Sequence, residues 1–241
     1  MNDLVLTKRL QSVADMVTIG NCVCDVGCDH GYVSIYLVRK EIAPRAIAMD
    51  VRSGPLSQAQ KNIELFGVGG KVETRLSDGL DKLSFGEADT IVIAGMGGPL
   101  MKDIIVRGLD VAKSVSELVL QPQSEIPEFR RFLKSNGFIT TAEDMVLEDG
   151  KFYPMMKVVP DPDFEFIDFS HLDDPFTVDE LYGPRLVASR NKVLMMYLNN
   201  EYRELMEIRE QLLRNADASE KSRERLREIE ERIEINNSVA N

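Results

Sequence analysis

The sequence predicts an α/β fold in which a mostly parallel sheet carries helices on both faces. Over the first 160 residues, short runs rich in Val, Ile and Leu alternate with longer segments of helical periodicity, which is the pattern of β-α-β units. Acidic residues follow the first three apolar runs, at the edge where a parallel sheet binds its ligands. The last two strand-like runs have no helix between them and therefore predict an antiparallel hairpin at one edge of the sheet.

Seven strands and five helices follow from this alternation. The strands are predicted near residues 22–27, 45–50, 71–76, 89–94, 115–121, 138–146 and 152–159. The helices are predicted near 6–17, 31–41, 54–67, 98–109 and 126–136. Glu148-Asp149-Gly150 supplies the turn of the final hairpin. Seven strands that end in a hairpin are the order of a Rossmann-like class I methyltransferase, whereas a six-stranded Rossmann dehydrogenase lacks the hairpin.

The chain divides into three parts. Residues 1–160 form the predicted α/β domain, which would hold the cofactor and the catalytic site. Residues 161–182 contain eight Asp and Glu but no Lys or Arg, together with two prolines and no sustained period, which predicts an acidic, irregular linker. Residues 183–241 form the predicted third part, which is helical.

Apolar residues at heptad spacing predict a coiled-coil hairpin in this third part. Leu198, Leu205 and Leu212 are seven residues apart, and Ile208 lies between the last two. A break at residues 215–217 precedes a second helix, for which Asp217 and Glu220 would form a capping box; its apolar residues are Leu226, Ile229 and Ile233. An antiparallel coiled coil is favoured, and a pair of ordinary helices packed on the main domain is the alternative.

Composition excludes several classes of protein. The apolar runs are interrupted well before the roughly 18 residues of a membrane span, and the first ten residues lack the apolar core of a signal peptide, so we expect a cytoplasmic protein. The three cysteines are an odd number without a C-x-x-C pair, so we expect neither a disulfide framework nor a metal site. The net charge of -11 comes mostly from residues 161–182, so it leaves a local basic face for nucleic acid possible.

The strand at 23–26 runs into a turn that contains Gly27 and Gly31, with Asp25 two residues before the first glycine. Such a turn places backbone N–H groups and a helix N-terminus beside a ligand. Its G-x-x-x-G spacing differs from the G-x-G-x-x-G of dinucleotide-binding proteins. The departure favours S-adenosylmethionine over NAD as the cofactor.

Other strand ends add to this predicted pocket. Asp50 ends the second strand, where a carboxylate can accept hydrogen bonds from two ribose hydroxyls. Asp78-Gly79 follows the third strand, where an acid can accept a hydrogen bond from the adenine amine; a simple turn is the alternative. The Gly95-Met96-Gly97-Gly98 turn follows the fourth strand and would bring backbone close to a ligand. Gln121 ends the fifth strand and would present its amide to a base edge.

Five motifs resemble those of the bacterial tRNA (adenine-N1)-methyltransferases that modify adenosine 22 in the D-arm. The matching segments are Leu6-Thr7-Lys8-Arg9-Leu10, residues 25–32, Ala94-Gly95-Met96-Gly97-Gly98, Leu120-Gln121-Pro122 and residues 148–153. The Tyr182-Gly183-Pro184 entry to the helical part resembles that family too. The resemblance implies an S-adenosylmethionine-dependent tRNA methyltransferase with a coiled-coil appendage.

The resemblance and the motif positions assign roles to individual residues. The cofactor residues expected from them are Asp25, Gly27, Cys28, Gly31, Asp50, Val51, Asp78, Gly79, Ala94, Gly95, Met96 and Gly97. Asp29 replaces the middle glycine of the broader D-x-G-x-G-x-G pattern, which would place a carboxylate beside the incoming base. We assign Asp29 the catalytic role, with His30 and Tyr32 as positioning or stacking groups; a helix-start histidine that bonds its own turn is the alternative for His30.

A base inside folded tRNA must leave its stack to reach the pocket, so the protein needs a basic face that reads RNA shape. The residues predicted to contact tRNA are Lys8, Arg9, Lys102, Arg107, Gln121, Arg130 and Arg131. Two other functions stay open. One is a methyltransferase of the same fold that acts on a small molecule or a protein, and the other is a non-catalytic scaffold that uses the coiled coil. A monomer or a weak dimer through the coiled coil is expected.

Overall fold

The computed structural model describes residues 4–164, 174–214 and 219–240. Two compact units divide the chain at Pro175 and Phe176. The first unit contains helix α1 (Lys8–Asp15), then β1 (Val23–Val26), α2 (Tyr32–Arg39), β2 (Ala46–Asp50), α3 (Ser53–Leu65), β3 (Val72–Leu76), β4 (Thr90–Met96), α4 (Gly98–Arg107), α5 (Leu109–Ser114), β5 (Glu117–Pro122), α6 (Ile126–Ser135), β6 (Phe138–Glu148) and β7 (Lys151–Pro160). The short helix α5 was not predicted separately.

The seven strands form one sheet in the order β3-β2-β1-β4-β5-β7-β6. Strands β1 to β5 are parallel, and β7 is antiparallel to both β5 and β6. The predicted hairpin therefore exists, with β6 at the edge of the sheet. Because β2 and β4 flank β1, the strand order reverses there, and ligands of open α/β sheets bind at such a point.

Helices cover both faces of the sheet, as the alternating pattern predicts. Along β4, Ile91 and Ile93 belong to one buried apolar cluster and Val92 belongs to the other, because successive strand residues face opposite sides. Helices α4, α5 and α6 pack their apolar residues into the first cluster, and α1, α2 and α3 pack theirs into the second. The Rossmann-like architecture with seven strands is thus confirmed.

The second unit contains α7 (Val178–Tyr182), α8 (Pro184–Ala188), α9 (Lys192–Arg214) and α10 (Glu220–Ala240). Thr177 and Glu180 form a capping box at the start of α7, inside the segment predicted to be an irregular linker. The rest of that linker includes residues 165–173, which lie outside the described residues. The predicted break at 215–217 and the predicted Asp217 cap lie outside them as well.

Helices α9 and α10 pack antiparallel. Arg209 pairs with Glu230, and Asn236 donates to the Leu198 carbonyl, so residue numbers rise on one helix as they fall on the other. Leu198, Leu205 and Ile229 are buried in the seam. Ile208 was predicted to lie there, but it is exposed.

A polar network crosses the proximal part of the hairpin. The Glu201 carboxylate accepts hydrogen bonds from the Tyr182 hydroxyl, the Arg232 guanidinium and the Asn236 amide. Such a network fixes helix register, because any sliding would leave buried polar atoms unpaired. No helix within the described ranges is both long enough and apolar enough to cross a membrane.

Candidate functional site

A cavity of about 540 Å³ opens at the carboxyl edge of the parallel strands. Its walls come from the carboxyl ends of β1, β2 and β4, from the segments that follow β1, β2, β3 and β5, and from α1, α2 and α4. The predicted residues that line it are Asp25, Gly27, Cys28, Asp29, His30, Tyr32, Asp50, Val51, Asp78, Gly79, Ala94, Gly95, Met96 and Arg9. The structure therefore brings together the acids and turns that the sequence places at separate strand ends.

The turn after β1 has left-handed backbone at three residues. Gly27 and Gly31 have φ values of 72° and 73°, and Asp29 between them has a φ of 50°. Asp29 thus keeps the backbone conformation that a glycine would adopt readily, which short Asp side chains tolerate. A Cβ on Gly31 would lie 3.1 Å from the Cβ of Ala59, so this glycine lets α2 pack closely on α3.

Asp50 connects the turns after β1 and β2. The Asp29 N–H donates to its Oδ2 at 3.3 Å, and the Arg52 N–H donates to its Oδ1 at 2.8 Å. Asp50 is buried, and it lines the cavity. Its carboxylate is therefore held in one orientation before any ligand arrives.

Asp25 is a buried acid at the base of the cavity, and the Ser34 hydroxyl donates to its Oδ2 at 2.8 Å. Burial raises the pKa of this carboxyl to about 6, although the Ser34 hydrogen bonds act in the opposite direction. The protonated form is favoured in the folded protein up to about pH 6, whereas an unfolded chain would ionise near pH 4.

Replacing Asp25 with Asn should stabilise the ligand-free protein at neutral pH by about 2–3 kcal/mol, because no buried charge then has to lose its hydration. The wild-type carboxyl binds its proton more tightly when folded, so its contribution to stability is full below about pH 4 and is lost as the pH rises through about 6. Urea unfolding of both proteins from pH 5 to pH 8 measures this difference. If the difference in the free energy of unfolding between the two proteins stayed constant from pH 5 to pH 8, the raised pKa of Asp25 would be contradicted.

Asp78 forms a two-pronged ion pair with Arg107, in which Nη1 and Nη2 each donate at 2.8 Å. These hydrogen bonds lower the pKa of the Asp78 carboxyl. Arg107 was predicted to contact tRNA; here it holds a residue of the cavity wall. A Cβ on Gly79 would lie 3.0 Å from Ile104, so the turn packs tightly against α4.

The predicted turn at Gly95–Gly98 is shorter than expected, because β4 continues through Gly95 to Met96 with a register shift after Ala94, and α4 begins at Gly98. Gln121 of the neighbouring strand β5 holds this carboxyl end of β4. Its Oε1 accepts from the Gly95 N–H at 3.1 Å and from Arg9 Nη1 at 2.9 Å. Gln121 is fully buried and does not line the cavity, so the prediction that it presents an amide to a base edge is wrong. Arg9 also lies over the ring of Tyr153 in β7, so this side chain of α1 contacts both β5 and β7.

Asp29, His30 and Tyr32 form one rim of the cavity. Asp29 Oδ2 lies 3.6 Å from His30 Nε2, and the His30 and Tyr32 ring centroids are 5.8 Å apart. The Asp29 side chain is 63% exposed, so its carboxylate contributes little to holding the fold. The His30 Nδ1 atom is buried and has no hydrogen-bond partner among the described residues.

Some predicted residues lie elsewhere. Gly31 and Gly97 do not line the cavity; each instead permits a close approach, to Ala59 and to the Ser124 hydroxyl respectively. Arg130 was predicted to bind RNA, but it is only 6% exposed and pairs with the buried Glu143. That prediction is wrong, because α6 turns this arginine toward the sheet.

Three other predicted cations lie outside the cavity. Arg131 donates to the carbonyls of Asp174 and Pro175. Lys102 lies over the Phe132 ring, and Lys8 is exposed at the start of α1. Only Arg9 of the predicted tRNA contacts reaches the cavity wall.

Several lining residues were missed by the sequence analysis. Helix α4 contributes the apolar side chains of Leu100 and Ile104, which are four residues apart and so lie on one face of the helix. Gln123 lines the cavity two residues beyond Gln121, from the same polar motif. The other missed residues are Leu10, Val26, Val33, Arg52 and Ser77.

Cys24 and Cys28 are free, buried cysteines near the cavity. Burial raises the pKa of the Cys24 and Cys28 thiols, so both stay protonated at neutral pH. Within the described residues, no group of three His, Cys, Asp or Glu side chains is placed to hold a metal ion.

Comparison with known proteins identifies the family. A family described as a methyltransferase domain matches residues 6–156. The tRNA (adenine(22)-N(1))-methyltransferase of Bacillus subtilis is 33% identical to this chain over 98% of its length and 97% of that protein.

Two crystal structures agree with this result. The m1A22 tRNA methyltransferase TrmK of B. subtilis superposes with a TM-score of 0.81 at 32% identity, over 99% of this chain and 100% of that one. Sp1610 of Streptococcus pneumoniae, in complex with S-adenosyl-L-methionine, superposes with a TM-score of 0.81 at 30% identity, over 98% and 100% of the two chains. The chain therefore belongs to the tRNA (adenine(22)-N(1))-methyltransferase family.

Proposed function

We propose that this protein transfers a methyl group from S-adenosylmethionine to N1 of adenosine 22 in tRNA. The observation that carries the proposal is the match with the B. subtilis enzyme, which covers 98% of the chain and so includes the C-terminal helices. A small-molecule or protein methyltransferase of the same fold would be expected to match the α/β unit alone. A cavity that still carries Asp25, Asp50 and Asp78 also argues against a non-catalytic scaffold.

The cavity fits this cofactor. Asp50, already oriented by two backbone N–H groups, would accept hydrogen bonds from the ribose hydroxyls. Leu100 and Ile104 offer an apolar wall to the adenine ring, and Asp78 an acceptor for its amine. When bound, S-adenosylmethionine supplies an electrophilic methyl group on a positively charged sulfur, which the acids around the cavity complement.

Methylation at adenine N1 needs alignment more than deprotonation. The nitrogen already has a lone pair, so no proton must leave before attack, and the protein mainly has to hold the base in line. The methylated base is a cation whose N6 amine has become more acidic. Asp29 at the rim would orient this amine, stabilise the developing charge or accept a proton, while His30 and Tyr32 position the base.

The same proposal covers the partner and the place of action. We expect the protein to act on tRNA in the bacterial cytoplasm. A monomer or a weak dimer through the coiled coil is expected: α9 and α10 bury Leu198, Leu205 and Ile229, whereas Ile208 and Leu213 stay exposed. We also propose that residues 161–182 link the catalytic unit to the hairpin.

Mapping of methylated bases tests the function. Purified protein should place 1-methyladenosine at position 22 of a tRNA transcript, and a transcript with guanosine at that position should gain none. tRNA from cells that lack the gene should lose the same modification. Unchanged modification in those cells, with no methyl transfer in vitro, would refute the proposal.

A further inference from the structure

A second, more apolar groove of about 580 Å³ adjoins the cofactor cavity. Leu10 and Tyr32 line both spaces, so the Tyr32 ring lies at the boundary between them. Leu4 and Phe66 extend the groove away from the cavity. The groove therefore adjoins the cavity at the rim where, in the proposed function, the target base enters.

Cations and aromatic rings lie at the far end of this groove. Leu4 also lines a small cleft together with Tyr36, Arg39 and Lys40. The Arg39 guanidinium lies 5.3 Å from the centroid of the Phe66 ring, and Lys40 Nζ lies 6.0 Å from that of Tyr36. The chain as a whole has a net charge of -11, so a surface that places Arg39 and Lys40 beside aromatic rings differs from the acidic average of the chain.

We infer that this groove binds the nucleotide next to the adenosine that is methylated. Its base would stack on Phe66 and on Tyr32, and its phosphate would lie at Arg39 and Lys40. Unstacked RNA bases are recognised by aromatic rings, and their backbone by cations. When the target base leaves its stack and enters the cavity beside Tyr32, the adjacent nucleotide of the tRNA lies only one nucleotide away from that ring. The inference deepens the proposed function and rests on it.

Steady-state kinetics with altered transcripts test the groove. Phe66→Ala should raise KM for tRNA about tenfold, while kcat and the Kd for S-adenosylmethionine change less than twofold. One of two transcripts, lacking the base on the 5′ or on the 3′ side of adenosine 22, should raise the wild-type KM by a similar factor. With that transcript the KM of the Phe66→Ala protein should not rise further, because the same contact is already lost. Leu65→Ala is the matched control, since Leu65 is 73% exposed and lines no part of the groove.

Lys40→Ala tests the phosphate contact without disturbing packing, because Lys40 is exposed. It should lower the slope of log KM against log salt concentration by about one, whereas Lys61→Ala, an exposed lysine of α3, should not. Two results together would overturn the inference. The increases in KM caused by Phe66→Ala and by each altered transcript would be additive, and Lys40→Ala would leave the slope of log KM against log salt concentration unchanged. A concentration-dependent dimer lost in Phe66→Ala, with KM unchanged, would assign the groove to a second copy of the chain. A wild-type protein that leaves the intact transcript unmethylated would instead refute the proposed function.

Discussion

Asp29→Gly protein should bind S-adenosylmethionine as the wild-type protein does and methylate tRNA at least about 100-fold more slowly. Glycine adopts the left-handed backbone of this position without strain, and the backbone N–H that donates to Asp50 remains. The substitution therefore removes the carboxylate and leaves the turn. Calorimetry gives the cofactor affinity, and single-turnover methyl transfer gives the rate.

Asp149→Gly is the matched control. Asp149 has a φ of 49°, close to that of Asp29, and it lies exposed in the turn between β6 and β7. The same substitution in the same backbone conformation should leave kcat unchanged. If Asp29→Gly also kept its kcat, the rim carboxylate would have no part in the reaction.

Asp29→Asn separates two roles of the carboxylate. Asn tolerates the same backbone conformation and keeps an oxygen that can accept a hydrogen bond, but it cannot take a proton or stabilise positive charge. A rate between those of the wild type and Asp29→Gly would indicate that the group orients the N6 amine. A rate equal to that of Asp29→Gly would indicate that the negative charge itself matters.

Strand ends were the most informative part of the sequence. Asp25 lies near the end of β1, Asp50 ends β2 and Asp78 follows β3. Parallel strands bring their carboxyl ends to one edge, so the convergence of these acids could be predicted. The antiparallel hairpin at one edge of the sheet could be predicted too, because no helix separates the last two strand-like runs. These inferences need only local pattern and topology.

Pairing across the fold could not be predicted from the same signals. Arg130 and Glu143 lie 13 residues apart on α6 and β6, and nothing in the intervening sequence shows that they meet inside the protein. Gln121 ends a buried strand, but its engagement by Arg9 depends on where α1 packs. Whether a polar residue contacts a ligand or supports the fold from inside can therefore be decided only when its tertiary neighbours are known.

Asp50→Ala should weaken S-adenosylhomocysteine binding by at least about 100-fold. A carboxylate that accepts hydrogen bonds from two hydroxyl groups contributes about 1.5–3 kcal/mol for each bond. Asp81→Ala is the control, because Asp81 is an exposed acid after β3 that lies outside the cavity wall. Calorimetric titration of both variants and the wild type measures the effect.

The 2′-deoxy analogue of S-adenosylhomocysteine shows whether the lost affinity belongs to the ribose. The wild type should bind the analogue about tenfold or more weakly than the parent ligand, and Asp50→Ala should bind the two almost equally, because the partner of the missing hydroxyl is gone. Asp50 also accepts from the Asp29 and Arg52 N–H groups, so a loosened turn would weaken both ligands alike. If the ratio of the affinities for the parent ligand and the analogue is the same in the wild type and in Asp50→Ala, Asp50 supports the turns. If that ratio falls to about one in Asp50→Ala, Asp50 binds the ribose.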